Sequence, residues 1–420
     1  MSSSKSNLLY KLGIPSALVW GYIGVILFML GSCIENSWLS SYLVNIGISK
    51  TETGTIFSLY GIFVAIVSWL SGIFVQIFGV RKVMLSGVII FLVSSIPLVL
   101  WAIPSGNFMA IAITYMLRGM AYPLFVYSFL VWVTYRSTNE IMGRATSWFW
   151  VCFNLGITIV GPSFAATLIP SIGEINVIWV GIAIALAGTF CSLVLNRDQL
   201  ILPKTGKSIT NEISEGFLIM FKRPRLGMGM LVKAINNIAQ FGFIIIMPIF
   251  LIDQGFTLTQ WASIWGLTYI INSFANVLFG YIGDKCGWRK TIVYIGGPLT
   301  GISCLMLYYT STLFPGQYGL LLLSFSVYAI GLGAFGPISA LLPALAPDKK
   351  AVAVSVLNLG SGLSNFIGPA IVSLLFEPFG VKVVLYVFAI LYFVASFLAF
   401  FLRTPEELNH AQLKHEKAVV

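Results

Sequence analysis

Residues 280–290 read GYIGDKCGWRK, and residues 72–82 read GIFVQIFGVRK. The two stretches share their spacing of glycines and end in the same kind of basic pair, about half a chain length apart. Each stretch lies between two long apolar segments. A loop pattern that recurs between apolar segments predicts a chain built from two structurally similar halves.

Both loops are predicted to act as structural or gating clasps rather than as substrate sites. The glycines allow a tight turn against neighbouring helices, and the basic pair holds the loop at the cytoplasmic face. In the second loop Asp284 can accept hydrogen bonds from a helix N-terminus or an arginine, whereas Gln76 takes the equivalent place in the first. The predicted gating residues are Gly72, Gly79, Arg81, Lys82, Gly280, Asp284, Gly287, Arg289 and Lys290.

The composition is that of a membrane protein. Of the 420 residues, 58% are hydrophobic and 9% are charged, whereas a soluble domain carries about 25% charged residues. A helix of about 20 apolar residues crosses a hydrocarbon core of about 30 Å. The sequence therefore predicts an all-α membrane protein with twelve transmembrane helices, at 17–46, 54–76, 83–103, 108–134, 143–169, 176–196, 227–252, 259–282, 291–310, 318–346, 352–375 and 382–403.

The basic residues predict the orientation. With both termini cytoplasmic, about 20 of the 24 Lys and Arg residues lie on the cytoplasmic side, and only Lys50 and Lys382 lie outside. The net charge of +10 is thus a topology signal, and we expect the bilayer, not nucleic acid, as the partner of the chain. The first apolar segment has no cleavage pattern behind it, so we expect a retained helix and not a signal peptide. We expect a multi-pass protein of the bacterial inner or cytoplasmic membrane.

The longest polar stretch divides the chain. We predict a six-helix bundle at 1–196, a cytoplasmic linker at 197–225, a second six-helix bundle at 226–405 and a tail at 406–420. The linker contains Gly206, Lys207 and Ser208, which mimic the end of a nucleotide-binding loop, but Ile201 replaces its first glycine and no strand precedes it. ATP binding is therefore not expected.

Reactive side chains are scarce. The five cysteines are scattered without paired spacing, and His410 and His415, the two histidines, lie in the C-terminal tail. This distribution predicts no disulfide frame, no metal site and no cofactor. Without a cluster of catalytic groups, the chain is not expected to be an enzyme, and both tails are too short for a signalling domain.

The loop pattern, the twelve predicted spans and the central linker resemble the major facilitator superfamily over nearly the whole chain. Further segments resemble the bacterial sugar-alcohol permeases, which carry ribitol and arabinitol. The resemblance implies a proton-coupled polyol importer with two pseudo-symmetric halves, in which helices one and four line a central cavity. The segments are Phe28-Met29 through Glu35, 117–128 (LRGMAYPLFVYS), Ile172-Gly173-Glu174, Phe241-Gly242-Phe243 with Ile246-Met247-Pro248, and 356–366 (VLNLGSGLSNF).

Glu35, Arg118 and Lys233 are the charged residues that lie away from the ends of the predicted spans. An unpaired charge in lipid costs several kcal/mol, about 2.5 to 3.5 for Arg or Lys at a helix centre, so each should face protein or a water-filled cavity. Counted along their helices, Glu35 and Arg118 lie at similar depths and can pair. Glu35 is either a proton-coupling group or a structural partner of Arg118. Tyr122 lies one turn from Arg118, whereas Lys233 is near enough to the cytoplasmic end to snorkel and is not expected to bind solute.

Polar residues also follow one face of the seventh predicted span. With Lys233, Asn236, Asn237 and Gln240 occupy helical positions i, i+3, i+4 and i+7. Asn358 and Asn365 share a face in the eleventh span. Amides donate and accept hydrogen bonds, which suits a hydroxylated solute, but they also join helices to each other.

A secondary transporter that imports a pentitol such as ribitol or arabinitol with a proton, as a monomer and by rocking of its halves, is the leading hypothesis. The predicted solute and coupling residues are Glu35, Arg118, Tyr122, Asn236, Asn237, Gln240, Asn358 and Asn365. One alternative is a proton symporter of an organic anion such as a dicarboxylate, with Arg118 and Lys233 as its clamps. A membrane sensor or enzyme is the alternative from another class.

Overall fold

The structure, a computed structural model, describes residues 9–201 and 209–408, and within these ranges its regular elements are all helical. Ten of the described helices are long and apolar enough to cross a membrane. The helices are α1 (Ser16–Ser32), α2 (Leu39–Asn45), α3 (Lys50–Phe78), α4 (Val80–Ser105), α5 (Phe108–Arg136), α6 (Met142–Ile172), α7 (Glu174–Leu195), α8 (Ile209–Lys222), α9 (Pro224–Asp253), α10 (Leu258–Cys286), α11 (Trp288–Leu313), α12 (Tyr318–Leu345) and α13 (Lys350–Phe400).

The described residues form two compact units. The first holds the residues up to Ser137 and those from Trp148 to 201, and the second holds Thr138–Ser147 and the residues from 209 onward. Helix α6 therefore begins in the second unit and continues in the first. The predicted division at 197–225 remains a prediction, and its Lys204 and Lys207 lie outside the described residues.

The predicted count of twelve spans depends on the two ends of the chain. Helix α13 has 51 residues, which at 1.5 Å per residue is more than twice what a hydrocarbon core of about 30 Å requires. Gly380 interrupts it with φ 75° and ψ 176°, a conformation that glycine adopts easily. The interruption lies in the predicted connection between spans eleven and twelve, and the count of twelve remains a prediction.

The first predicted span is not the continuous helix that the sequence suggested. The chain leaves helical geometry between Cys33 and Trp38, so that α1 and α2 flank a short turn that carries Glu35. Side chains replace part of the lost helical bonding, since Arg118 donates to the Ser32 carbonyl and Trp38 donates to the Ile34 carbonyl at 3.1 Å. The prediction of an unbroken helix over 17–46 is therefore wrong, because tertiary donors stabilise the break.

Two further helices are interrupted close to a proline. Helix α5 turns irregularly after Arg118, and Pro123 provides no N–H for the carbonyl of Gly119. Pro337 stands in the same relation to Gly333 in α12, which is also irregular there. In the first unit, this irregular turn places Arg118 at a helix end, where its side chain reaches the broken segment after α1.

Helices α1 and α7 pack through four glycines. Gly24 opposes Gly188 and Gly31 opposes Gly181, with the same seven-residue spacing on both helices. A Cβ atom added at any of the four would lie less than 3.0 Å from a backbone atom of the other helix. The two backbones are therefore in direct contact, which holds the broken segment after α1 against the rest of the first unit.

We expect Gly31→Ala to lower the free energy of unfolding by about 2 kcal/mol, because the new methyl overlaps the Gly181 carbonyl. Gly61 in α3 is the matched control, since a Cβ there meets nothing within 4 Å. Thermal unfolding of the detergent-purified variants measures the difference. Equal melting temperatures for Gly31→Ala and Gly61→Ala would contradict the close approach of α1 and α7.

Candidate functional site

A buried ion pair lies within the first unit. The Arg118 guanidinium donates from Nε to Glu35 Oε1 at 2.9 Å and from an Nη atom to Glu35 Oε2 at 2.8 Å. The exposed fractions of the two side chains are 1% and 0%. Two parallel hydrogen bonds between a planar guanidinium and a carboxylate are the strongest geometry available to such a pair. The predicted proximity of Glu35 and Arg118 is present in the structure.

The guanidinium has further acceptors, which sequence reasoning missed. It donates to the Ser95 hydroxyl of α4 and, at 3.3 Å, to the Ser32 carbonyl at the end of α1. The Phe91 ring lies 4.7 Å from the guanidinium carbon, measured to the ring centroid, and adds a cation–π contact. The adjacent polar residues Ser94 and Ser95 inside an apolar segment could have indicated a buried polar partner in α4. Four of the five N–H groups of Arg118 thus have acceptors within the first unit.

Aromatic side chains surround the ion pair. Tyr115, three residues before Arg118, interacts electrostatically with both charged groups, and its ring stacks on that of Tyr60 at 4.7 Å. The Tyr115 hydroxyl is buried and has no hydrogen-bond partner among the described residues. Tyr122 lies beyond the irregular turn of α5 and packs against Tyr127 and Phe153, with ring centroids 6.0 and 6.1 Å away. The hydroxyl of Tyr115 thus has hydrogen-bonding capacity that no described residue uses.

The second unit contains amides in place of a charge pair. Asn236 donates to the Asn237 side chain at 2.9 Å, and Tyr392 donates to the Asn236 carbonyl at 3.1 Å. The Asn236 Oδ1 atom is buried without a partner in the described part of the chain. Gln240 is partly buried one turn further along α9. This face of α9 therefore carries both hydrogen-bond donors and acceptors.

Glycines of α13 bring the second set of amides against α9. Added Cβ atoms at Gly360 and Gly368 would overlap the backbone of α9, so the two helices are in close contact. Asn358 is fully buried on α13, and Asn365 is partly buried and donates to the Ser361 carbonyl of its own helix at 3.1 Å. The amides predicted on the two spans thus belong to one pair of helices.

Lys233 does not snorkel. Its exposed fraction is 3%, and its Cβ lies 3.2 Å from the position that a Cβ of Gly360 would take. Packing against α13 holds the lysine inside the unit, whereas the sequence shows only its distance from the end of the helix. The prediction that it reaches the membrane surface is therefore wrong.

The repeated glycine loops have the same backbone geometry. Gly79 has φ 86° and ψ 149°, and Gly287 has φ 103° and ψ 128°, and each separates two helices by a single residue. The first arginine after each glycine binds the end of a later helix in its own unit. Arg81 donates to the Asn196 carbonyl after α7, and Arg289 donates to the Phe400 carbonyl at the end of α13.

Asp198 adds a second contact after α7. Its carboxylate accepts from Arg136 at 2.6 Å and from the Trp132 indole at 2.8 Å. Burial raises the pKa of Asp198, but these hydrogen bonds outweigh it, so that the pKa lies below its ordinary value. The carboxylate therefore stays charged and fixes the chain after α7 to α5.

Asp284 binds the N-terminal end of α6. Its carboxylate accepts from the Gly143 and Arg144 amides at 2.7 and 3.1 Å, from the Arg144 side chain at 2.9 Å and from the Trp288 indole at 2.9 Å. Gly143 and Gly280 make this possible, because a Cβ on either would overlap the other helix. A charged acceptor at a helix N-terminus is favourable. Gln76, at the equivalent place, has a buried Oε1 atom with no described partner.

We expect Asp284→Ala to lower the free energy of unfolding by about 3 kcal/mol, since it leaves Arg144 and two amides without their acceptor. Asp348→Ala is the control, because the Asp348–Arg223 pair is about half exposed and should contribute less than about 1 kcal/mol. Thermal unfolding of both variants in detergent provides the comparison. If Asp348→Ala destabilised the protein as much as Asp284→Ala, the Asp284 contacts would not be stabilising.

A comparison with protein families identifies the family of this chain. The family described as the Major Facilitator Superfamily matches residues 16–335 and 267–419. This chain belongs to the major facilitator superfamily. It is therefore an all-helical, multi-pass membrane protein and a secondary transporter of small solutes, not an enzyme. The resemblance inferred from the two glycine loops is confirmed.

Relatives of this superfamily member include bacterial permeases for different solutes. The chain is 45% identical to the alpha-ketoglutarate permease of Bacillus subtilis, over 96% of its own length and 93% of the relative. It is 33% identical to the D-arabinitol transporter of Klebsiella pneumoniae, over 94% of each. A bacterial homologue of the iron transporter ferroportin, solved facing outward, has a TM-score of 0.76 at 14% identity and covers 92% of this chain and 99% of its own. The last likeness concerns the fold alone.

Proposed function

We propose that this transporter imports a small dicarboxylate of the 2-oxo acid class together with a proton. The observation that carries the proposal is the paired geometry of Glu35 and Arg118. Glu35 occupies both sides of the Arg118 fork as a substrate carboxylate would. An internal carboxylate in that position can be exchanged for one carried by the solute.

The exchange supplies a coupling mechanism. When a solute carboxylate takes the Arg118 fork, Glu35 loses its counter-charge in buried surroundings, which favours its neutral, protonated form. The solute and the proton are then bound together, and neither leaves a buried charge uncompensated. When the proton departs toward the cytoplasm, Glu35 recovers Arg118 and expels the solute. Binding of the two ligands is thus mutually dependent.

The second unit contains a further buried basic residue. Lys233 is buried in the second unit on the helix face that carries Asn236 and Gln240. In the proposed mechanism, Arg118 holds one carboxylate of the solute. The permease of 45% identity, whose name specifies alpha-ketoglutarate, supports this class of solute.

A polyol is the second candidate. The amides of α9 and α13, and the unpartnered Tyr115 hydroxyl and Asn236 Oδ1, suit the hydroxyls of a neutral solute. The D-arabinitol transporter at 33% identity supports this alternative. In that case the Glu35–Arg118 pair stays closed, and the proton is taken up without carboxylate exchange.

Uptake into proteoliposomes distinguishes the two. Labelled 2-oxoglutarate, D-arabinitol and ribitol are each supplied with and without an imposed inward proton gradient. We expect accumulation of 2-oxoglutarate that requires the gradient and is not inhibited by excess arabinitol. Gradient-driven accumulation of a polyol, with no uptake of 2-oxoglutarate, would overturn the dicarboxylate proposal.

A further inference from the structure

The first unit contains a cavity of about 370 Å³ between α3, α4 and α5, separate from the ion pair. Its walls are mostly apolar, and a single lysine contributes the charge. Its principal lining residues are Phe74 and Phe78 on α3, Lys82 and Ser86 on α4, and Met120 and Leu124 on α5.

The dimensions of the cavity match one lipid chain. On α3 the lining extends from Phe78 to Val67, which at 1.5 Å per residue is roughly 16 Å along the helix. One leaflet of a hydrocarbon core is about 15 Å thick. The cavity thus runs from the basic end of the helices, which the sequence predicts to be cytoplasmic, to about the middle of the membrane.

Lys82 lies at the basic end of the cavity. Its side chain is exposed and makes no hydrogen bond or ion pair with any described residue, whereas the adjacent Arg81 is bonded to the Asn196 carbonyl. Lysine is a strong ligand for phosphate as a point charge. An apolar channel one leaflet deep with an ammonium group at the headgroup level is complementary to an anionic phospholipid.

We propose that this cavity binds one anionic phospholipid, with an acyl chain between α3 and α4 and the headgroup phosphate on Lys82. The deep end of the cavity includes Met120, two residues after Arg118, in the irregular turn of α5. The bound acyl chain therefore packs against the turn that positions Arg118. This site does not depend on which solute the transporter carries.

The repeat provides a matched control. Lys290 in the second unit follows Gly287 and Arg289 as Lys82 follows Gly79 and Arg81, and it is also exposed. Lys290 does not line the cavity. Replacing Lys290 therefore removes a charge at the equivalent place in the repeat without removing a residue of the cavity.

Native mass spectrometry of the purified protein, mixed with equal amounts of phosphatidylglycerol and phosphatidylcholine, tests the proposal. We expect native protein and Lys290→Ala to retain one phosphatidylglycerol, preferred about fivefold over phosphatidylcholine. Lys82→Ala should lose the preference, and Ser86→Phe, which fills the channel, should retain neither lipid. Equal retention of the two lipids by native protein, or unchanged phosphatidylglycerol on either Lys82→Ala or Ser86→Phe, would overturn the proposal.

Discussion

Glu35→Gln is expected to abolish proton-driven accumulation of the solute while leaving solute exchange intact. Glutamine imitates the protonated carboxyl, so that Arg118 no longer has an internal carboxylate and remains open to the carboxylate of the solute. Binding and exchange of solute across the membrane therefore continue. Accumulation disappears because no group in the variant gains and loses the coupled proton. In native protein, one pH unit of gradient can concentrate the solute roughly tenfold, and the variant loses this driving force.

Proteoliposomes preloaded with unlabelled 2-oxoglutarate measure exchange, and empty ones with an acidic exterior measure accumulation. Glu377→Gln is the control, because Glu377 is an exposed carboxylate on α13. We expect the control to resemble native protein in both assays. A Glu35→Gln variant that still concentrates solute in response to the gradient would remove Glu35 from the coupling mechanism.

Arg118→Lys is expected to reduce kcat/KM for dicarboxylate uptake roughly 100-fold. Lysine keeps the positive charge but cannot form two parallel hydrogen bonds with one carboxylate, and it cannot reach Ser95, the Ser32 carbonyl and Glu35 at once. Loss of one charge-assisted hydrogen bond alone costs about 1.5 to 3 kcal/mol. Initial rates of uptake at several solute concentrations give the ratio.

A double variant separates function from folding. Arg118→Gln alone leaves Glu35 buried and uncompensated, with an expected loss of about 3 kcal/mol in the free energy of unfolding. Glu35→Gln with Arg118→Gln removes both charges and should recover most of that stability. We expect the double variant to remain inactive in both uptake and exchange. Dicarboxylate exchange by a folded protein without Arg118 would show that the guanidinium is not the solute ligand.

The sequence predicts the ion pair because charge is rare within its apolar segments. Glu35 and Arg118 are conspicuous there, and counting residues along two helices is enough to place them at a common depth. The sequence also predicts the two glycine loops, because the same spacing of glycine and basic residues recurs. In the structure, Gly79 and Gly287 both have a positive φ. Local sequence spacing decides both features.

The sequence does not predict features that depend on contacts with distant helices. The break after α1 carries no proline or glycine between Cys33 and Trp38, and it is stabilised by Arg118 from a distant helix. The burial of Lys233 depends on Gly360, more than a hundred residues later. Hydropathy cannot foresee either, because each requires knowing which helices are neighbours.

The two units use different chemistry on a repeated backbone. The first contains a charge pair beside an unpartnered tyrosine hydroxyl, and the second contains amides and a buried lysine. The charge pair of the first unit suits a carboxylate, whereas the amides of the second unit suit a hydroxyl. The Glu35–Arg118 exchange is therefore the step on which the choice of solute depends.

Calorimetric titration of 2-oxoglutarate in buffers of different ionisation enthalpy tests the proposed exchange most directly, because it counts the protons taken up when the anion binds. We expect native protein to take up about one proton per bound anion and Glu35→Gln to bind the anion without proton uptake. Anion binding by native protein with no proton uptake, or with the same uptake in Glu35→Gln, would contradict the exchange of Glu35 for a solute carboxylate on Arg118.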